Sequence, residues 1–291
     1  MLKARNYLWI SMTLKLQNET NLILLLIFTL LCNPLSSQGL AKWGELRAYE
    51  SDLIVCSFDS AANEVVLSDF ANVELRTGES IKTKHHKRIK ILKESGKEVA
   101  NIILRGNISS IRAQTINIES GKVVKTQLKK KDFMKVESDE KLSEVRFSFP
   151  NAKVGSIIEY DYVLESGNYN SLTKWNFQNE IPTLFSQVSA QIDERFQYRI
   201  SYQGLRLQEK HKEGSHNTWL LTNLPKIENE SYCPYVYDYV EQVNFQLDTY
   251  YICTGKKIEH MTSLEEFAEY LLERAEFLKI LKKKNKRGSN A

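Results

Sequence analysis

The sequence predicts an all-β fold: a large antiparallel β-sandwich with room for two lobes, closed by one C-terminal amphipathic helix. Three observations predict it. From Glu64 to about Leu164, short alternating runs are divided by Gly-containing turns, the pattern of strands in a sandwich. The same style continues from Trp175 to Tyr251. After Thr262 the apolar period lengthens, with Leu264, Phe267, Leu271, Ala275 and Leu278 at helical spacing.

The elements follow in chain order. Leu22–Cys32 ("LILLLIFTLLC") is an apolar run preceded by Lys3, Arg5 and Lys15 and followed by Pro34 and "LSSQG". It is well short of the ~20 residues that span a bilayer as a helix. A basic start, a short apolar stretch and small residues before a cut predict a secretory signal peptide over residues 1–38. Met12 offers a second start, and Leu31 stands where a lipoprotein leader would carry a small residue before Cys32. The protein is therefore expected to be exported, to the periplasm or the cell surface, and to meet the membrane only through the cleaved leader. Residues 39–258 then form the β domain, and residues 259–291 a connector helix with a basic tail.

Within the β domain, Thr77-Gly78, Ser95-Gly96 and Ser120-Gly121 each stand between two strand-like runs. Glycine supplies the positive φ that tight hairpins use, and β-branched neighbours favour the pleat. "FPNAKVGSIIEYDYVLES" (Phe149–Ser166) carries three acids, two tyrosines and a glycine turn. Ile158, Tyr160, Tyr162 and Leu164 share one face of a strand, and Glu159, Asp161 and Glu165 the other. Same-face neighbours lie about 6.6 Å apart along a strand, a separation that also suits paired glycosidase carboxylates. With no sugar cleft indicated nearby, the stronger expectation is a solvent-facing strand whose acids meet lysines across the ladder. Trp175 and Phe177 are expected in the core, and Trp219 at the end of another strand.

Composition narrows the function. The 291 residues are 42% hydrophobic and 26% charged, with 40 basic against 36 acidic side chains. That balance argues against a nucleic-acid binder. The basic runs Lys82–Lys90 ("KTKHHKRIK") and Lys282–Arg287 read as solvated faces. No GxSxG, P-loop, GxGxxG or HExxH motif occurs. His85 and His86 are adjacent and so point to opposite faces, while His211 and His216 lack a third ligand for a metal. Beyond the leader, Cys56, Cys233 and Cys253 remain, an odd number of which Cys233–Cys253 is one pairing that an oxidising compartment permits. Their strand-like settings differ from the helix starts that stabilise a thiolate. No catalytic centre, cofactor or metal site is expected. The surface singled out is the tyrosine-rich stretch at Tyr232, Tyr235, Tyr237 and Tyr239, which presents rings with polar tips to a partner or seals the sandwich edge. Thr262 or Ser263 caps the final helix, with Glu265 or Glu266 completing a capping box.

Four phrases carry a resemblance: "DSAANEVVLSDFANVEL" (Asp59–Leu75), "KRIKILKESGKEVANI" (Lys87–Ile102), "FSFPNAKVGSIIEYDYVLES" (Phe147–Ser166) and "WNFQNEIPTLFSQVSAQI" (Trp175–Ile192). Over about Asp52 to Leu247 the chain resembles the exported domain of unknown function that precedes transglutaminase-like domains in envelope proteins of Gram-negative bacteria. The resemblance implies architecture and context; the leader, the all-β body and the lack of catalytic groups predict a binding or scaffolding module, with a transglutaminase-like domain, an envelope protein or a glycan as partner. In that family the catalytic Cys, His and Asp belong to the downstream domain, so none is carried onto this chain. The alternative expectation is the N-terminal part of a transglutaminase-like cysteine peptidase or amide hydrolase whose catalytic domain lies beyond residue 291.

Overall fold

The computed structural model describes residues 42–137, 143–210, 217–228, 239–252, 254–259 and 272. The chain divides into two compact units, Met1–Trp43 and Gly44–Ala291, and the fold described is that of the second. A short helix α1 (Ala48–Asp52) comes first, then β1 (Glu64–Leu75), β2 (Ile81–Ile91), β3 (Asn101–Arg105), β4 (Asn107–Glu119) and β5 (Lys122–Gln127). Next follow β6 (Met134–Glu137), β7 (Ser143–Ser148), β8 (Ile157–Ser166), β9 (Ser171–Asn176), β10 (Thr183–Ile192) and β11 (Phe196–Gln203). A second helix, α2 (Leu205–Lys210), precedes β12 (Thr218–Leu224), β13 (Gln242–Tyr251) and β14 (Lys257–Glu259). The all-β expectation holds for the described residues, none of whose helices is long and apolar enough to cross a membrane. Of the expected connector helix, Leu272 alone is described, in helical conformation.

A seven-stranded sheet in the order β12-β10-β1-β2-β8-β4-β5 is the platform. One of its faces carries two smaller sheets side by side. Toward β10 and β12, Ala71, Val73, Val188, Ala190 and Trp219 meet Leu172, Trp175, Phe177, Val243 and Phe245, from the sheet containing β9, β11, β13 and β14 or beside it. Toward β4 and β8, Ile89, Ala113, Ile158 and Tyr160 meet Val145, Phe147 and Phe149, on or just beyond β7 of the sheet β3-β7-β6. Trp175 and Phe177 are buried, as expected. The other face of the platform buries Val65, Ile116 and Ile157 against the segment that carries Cys56 and Ala62.

Two expectations are corrected. The sandwich is not wholly antiparallel, because β1 and β10 run parallel, with Ala71 opposite Val188. Neighbours so far apart in sequence are joined through other strands, so no hairpin dictates their direction. Ser95-Gly96 is not a hairpin turn either. Residues Glu94–Ala100 form a 3-10 helix that bridges two different sheets. The carbonyl of Asn63 accepts the amides of Leu92 and Lys93 at 2.8 and 2.9 Å, which pins that carbonyl beside Gly96. A Cβ on Gly96 would collide with it and lie 2.7 Å from Glu64 Oε2. Gly96→Ala is expected to lower the unfolding free energy by about 1–3 kcal/mol. An unchanged urea midpoint would show that the turn yields without strain. By contrast, Ser120 and Gly121 do close the β4–β5 hairpin, with φ of 50° and 75°, the paired positive values of a two-residue turn.

Candidate functional site

The richest polar grouping lies on the platform face that α1 covers. It arises from register. Arg88 of β2 is opposite Glu159 of β8, and Glu159 is opposite Gln114 of β4. Two residues further along, His86, Asp161 and Arg112 form a second row on the same face. Helix α1 lowers Glu50 onto the first row, where its Oε2 is 3.0 Å from the Arg88 guanidinium. Glu159 Oε2 accepts the Gly44 amide at 2.9 Å and Gln114 Nε2 at 2.5 Å. Arg88 Nη1 and His86 Nε2 both stand 3.7 Å from Glu159 Oε1. Lys90 donates to the carbonyls of Glu50 and Ser51 at 2.5 and 2.7 Å, and the Arg47 amide donates to Glu50 Oε2 at 3.0 Å.

The side chains of Arg88 and Glu159 are 0% exposed and that of Glu50 1%. Such charges are tolerated only because opposite charges and donors surround them. Burial pushes the Glu50 carboxyl up, against the Arg47 amide and the Arg88 charge. Burial likewise pushes the Lys90 ammonium down. At Asp161 burial works upward but loses to the His86 hydrogen bond and the Arg112 guanidinium, leaving that carboxyl below its usual range. His86 Nδ1 is 2.5 Å from Asp161 Oδ1, and Arg112 Nε donates to Oδ2 at 2.7 Å. The outcome is a charge-balanced clasp that fixes Gly44–Asp52 to the platform.

This clasp overturns two sequence expectations. The Lys82–Lys90 run is a central strand instead of a solvated face, with His86, Arg88 and Lys90 all buried. Glu159 sits on a strand, as expected, but its face is covered by α1 and not by water. A glycosidase acid pair would need both carboxylates open to one cleft. Here Glu159 is sealed, while Asp161 keeps a half-open rim position held by Arg112. The opposite faces expected for His85 and His86 are observed. His85 stacks on Tyr162 at 4.3 Å and lies 5.8 Å from Trp175, and burial lowers its pKa to about 4.

Of the tyrosine surface, Tyr239 is described and is 74% exposed; Tyr232, Tyr235 and Tyr237 lie outside the described residues. So do Cys233, Cys253, His211, His216 and the Lys282–Arg287 run. Tyr250 stacks on Phe196 at 6.4 Å, opposite it in the β11–β13 ladder. Cys56 is a buried free thiol. Among the described residues no group of three His, Cys, Asp or Glu side chains is placed to hold a metal ion. An open groove of about 510 Å³ is lined by Leu128, Met134, Arg146 and Phe147 among others.

A family model described as "Domain of Unknown Function with solved-structure structure (DUF3857)" matches residues 79–228, which include both rows of the clasp but not α1. No curated protein matches the chain. Among solved structures, a provisionally named protease from Parabacteroides distasonis is similar at 16% identity and a TM-score of 0.53, over 64% of this chain and 41% of that one. At that identity the likeness concerns the fold alone, and the chain spans about two fifths of that protein's length. Yeast leukotriene A4 hydrolase (10% identity, TM-score 0.28, 64% of this chain and 29% of that one) also matches. So does Legionella pneumophila aminopeptidase A (10%, 0.29, 68% and 24%). Scores that low establish no shared fold.

Proposed function

The chain belongs to the DUF3857 family, and we propose that it is an exported, non-catalytic β module that binds or scaffolds in the periplasm or at the cell surface, normally beside a transglutaminase-like domain. The observation that carries this reading is the closure of its charged cluster upon itself. Arg88, Glu50 and Glu159 are directed at one another and at the Gly44 amide, so their chemistry goes into holding the fold. The apolar run Leu22–Cys32 with its basic flank supports export. Modularity is supported by the fraction, 41%, of the Parabacteroides distasonis protein that the chain spans. Tyr239, with its ring largely in solvent, supports a contact surface at the exit of the domain.

A second reading draws on the protease name given to the Parabacteroides distasonis protein. On that reading these residues are the N-terminal part of a cysteine peptidase or amide hydrolase, and an activated thiolate with a histidine base lies past Ala291. The intact mass of the native protein from the envelope fraction separates the two. A species lighter than 33.8 kDa by the leader supports the binding module. A heavier, leaderless species whose extension encodes Cys, His and Asp supports the enzyme. Recovery from the cytoplasm with the leader attached would overturn export under either reading.

A further inference from the structure

The two edges of the platform sheet are treated differently, and the difference points to a partner. At the β12 edge, cations from α2 occupy backbone carbonyls: Lys210 Nζ donates to Leu220 O at 2.7 Å, and Arg206 Nη2 to Thr222 O at 2.6 Å. A strand approaching there would find those acceptors taken. At the β5 edge no described strand pairs on the outer side.

The register of β5 identifies which of its groups face outward. Leu128 N donates to Ala113 O at 2.9 Å. Stepping by two through the ladder, Thr126 opposite Thr115, Val124 opposite Asn117 and Lys122 opposite Glu119 are the pairs that exchange bonds with β4. The N–H and C=O groups of Val123, Lys125 and Gln127 therefore point away from the sheet. Side chains around them are exposed: Val123 is 48% and Val124 38% accessible, and Lys122, Lys125 and Lys129–Lys131 are all exposed. The acid at the hairpin, Glu119, is matched by Lys153 at 2.8 Å.

Lysine on an edge strand is the usual guard against unwanted pairing, but that guard selects by charge. It repels a second copy of β5, whose lysines would face these, and leaves neutral strands unassisted. A strand carrying carboxylates is attracted, because opposite charges across a ladder stabilise it. We propose that the outer edge of β5 accepts an extended acidic peptide segment as an added strand, with main-chain bonds at Val123, Lys125 and Gln127 and its carboxylates on the sheet face that carries Lys125. Strand addition of this kind takes affinity from the backbone and specificity from alternate side chains. The proposal does not rest on the tyrosine surface.

The test uses the full chain and a blocked peptide of alternating Glu and Val about eight residues long, with a Lys–Val peptide as its counterpart. Hydrogen exchange should show new protection at the Val123, Lys125 and Gln127 amides with the Glu–Val peptide and none with the Lys–Val peptide. Lys125→Pro removes one outward N–H and no bond to β4, a substitution that edge strands accept. It should weaken Glu–Val binding about tenfold while the thermal midpoint stays unchanged. Lys125→Glu should move the preference to the Lys–Val peptide. Undiminished binding by Lys125→Pro would overturn the proposal, because the backbone would then play no part. Failure to bind would overturn it too, as would association with phosphatidylglycerol vesicles without amide protection, or self-association that protects the same amides.

Discussion

Arg88→Met is expected to cost about 3–5 kcal/mol of unfolding free energy, read as a fall in the urea midpoint at neutral pH. The size follows from what stays behind. Glu50 and Glu159, both sealed from solvent, would keep their carboxylates without the guanidinium that lies between them at 3.0 and 3.7 Å. The loss should depend on pH in a definite direction. Burial already raises the Glu50 carboxyl, and the Arg88 charge opposes that rise. Removing Arg88 lifts the folded-state value further above the unfolded one. Such a carboxyl stabilises the folded state when protonated and loses that advantage as pH rises through its folded value. The deficit of the variant should therefore shrink on acidification and widen toward neutrality. Adding Glu50→Gln to Arg88→Met should restore part of the loss, since it removes one stranded charge. A deficit equal at acid and neutral pH would mean that Arg88 acts by packing alone.

Trp219→Ala should cost a similar amount, about 3–5 kcal/mol, by a different route. The indole is 1% exposed. It meets Phe245 edge-on, with centroids 5.3 Å apart, and its Nε1 donates to the Tyr202 hydroxyl at 3.1 Å. It thus joins the platform to the sheet containing β11 and β13. Truncation opens a cavity where two sheets meet and strips Tyr202 of that donor. Trp219→Phe keeps most of the apolar contact and should recover most of the loss, leaving a residue of about 1 kcal/mol for the hydrogen bond. Because the defect belongs to the sheet junction, it should be independent of pH across the range in which Arg88→Met varies. Equal losses for Trp219→Ala and Trp219→Phe would show that the ring volume is not what the junction needs.

Much of the fold was legible because local signals agreed with it. The period-two alternation of Ile158, Tyr160, Tyr162 and Leu164 marks β8, and the Ser120-Gly121 pair marks the β4–β5 hairpin. Trp175 and Phe177 are core residues in the sequence reading and in the structure. The clasp was missed for a physical reason. Charge in a sequence is read as a sign of water, and "KTKHHKRIK" is dense in charge, yet the cost of burial depends on partners that the strand itself does not carry. Those partners, Glu159 and Asp161 on β8 and Glu50 on α1, lie far away in the chain. A usable signal existed in the complementary alternation of the two strands. His86, Arg88 and Lys90 fall on one face of β2, and Glu159 and Asp161 on one face of β8, with opposite sign and the same period. Two such strands specify each other as neighbours. Ser95-Gly96 misled for the opposite reason, since a glycine between apolar runs marks close backbone approach as readily as a hairpin. The parallel β1–β10 pair left no local trace at all, because direction between strands joined through intervening elements is a property of the assembled sheet.

The bond from Gly44 to Glu159 spans 115 residues of chain, and this has a consequence for the order in which the molecule forms. A segment that leaves the ribosome ahead of every strand of the sheet is among the last that can settle. Gly44–Asp52 has nowhere to rest until β2, β4 and β8 have come together, because each supplies one part of its seat: Arg88, Gln114 and Glu159. Contacts of such separation are slow to form. Until then the leading segment is free to be handled by other machinery without disturbing the sheet behind it. A chain that stops before Glu159 would leave the Gly44 amide with no carboxylate to hold it.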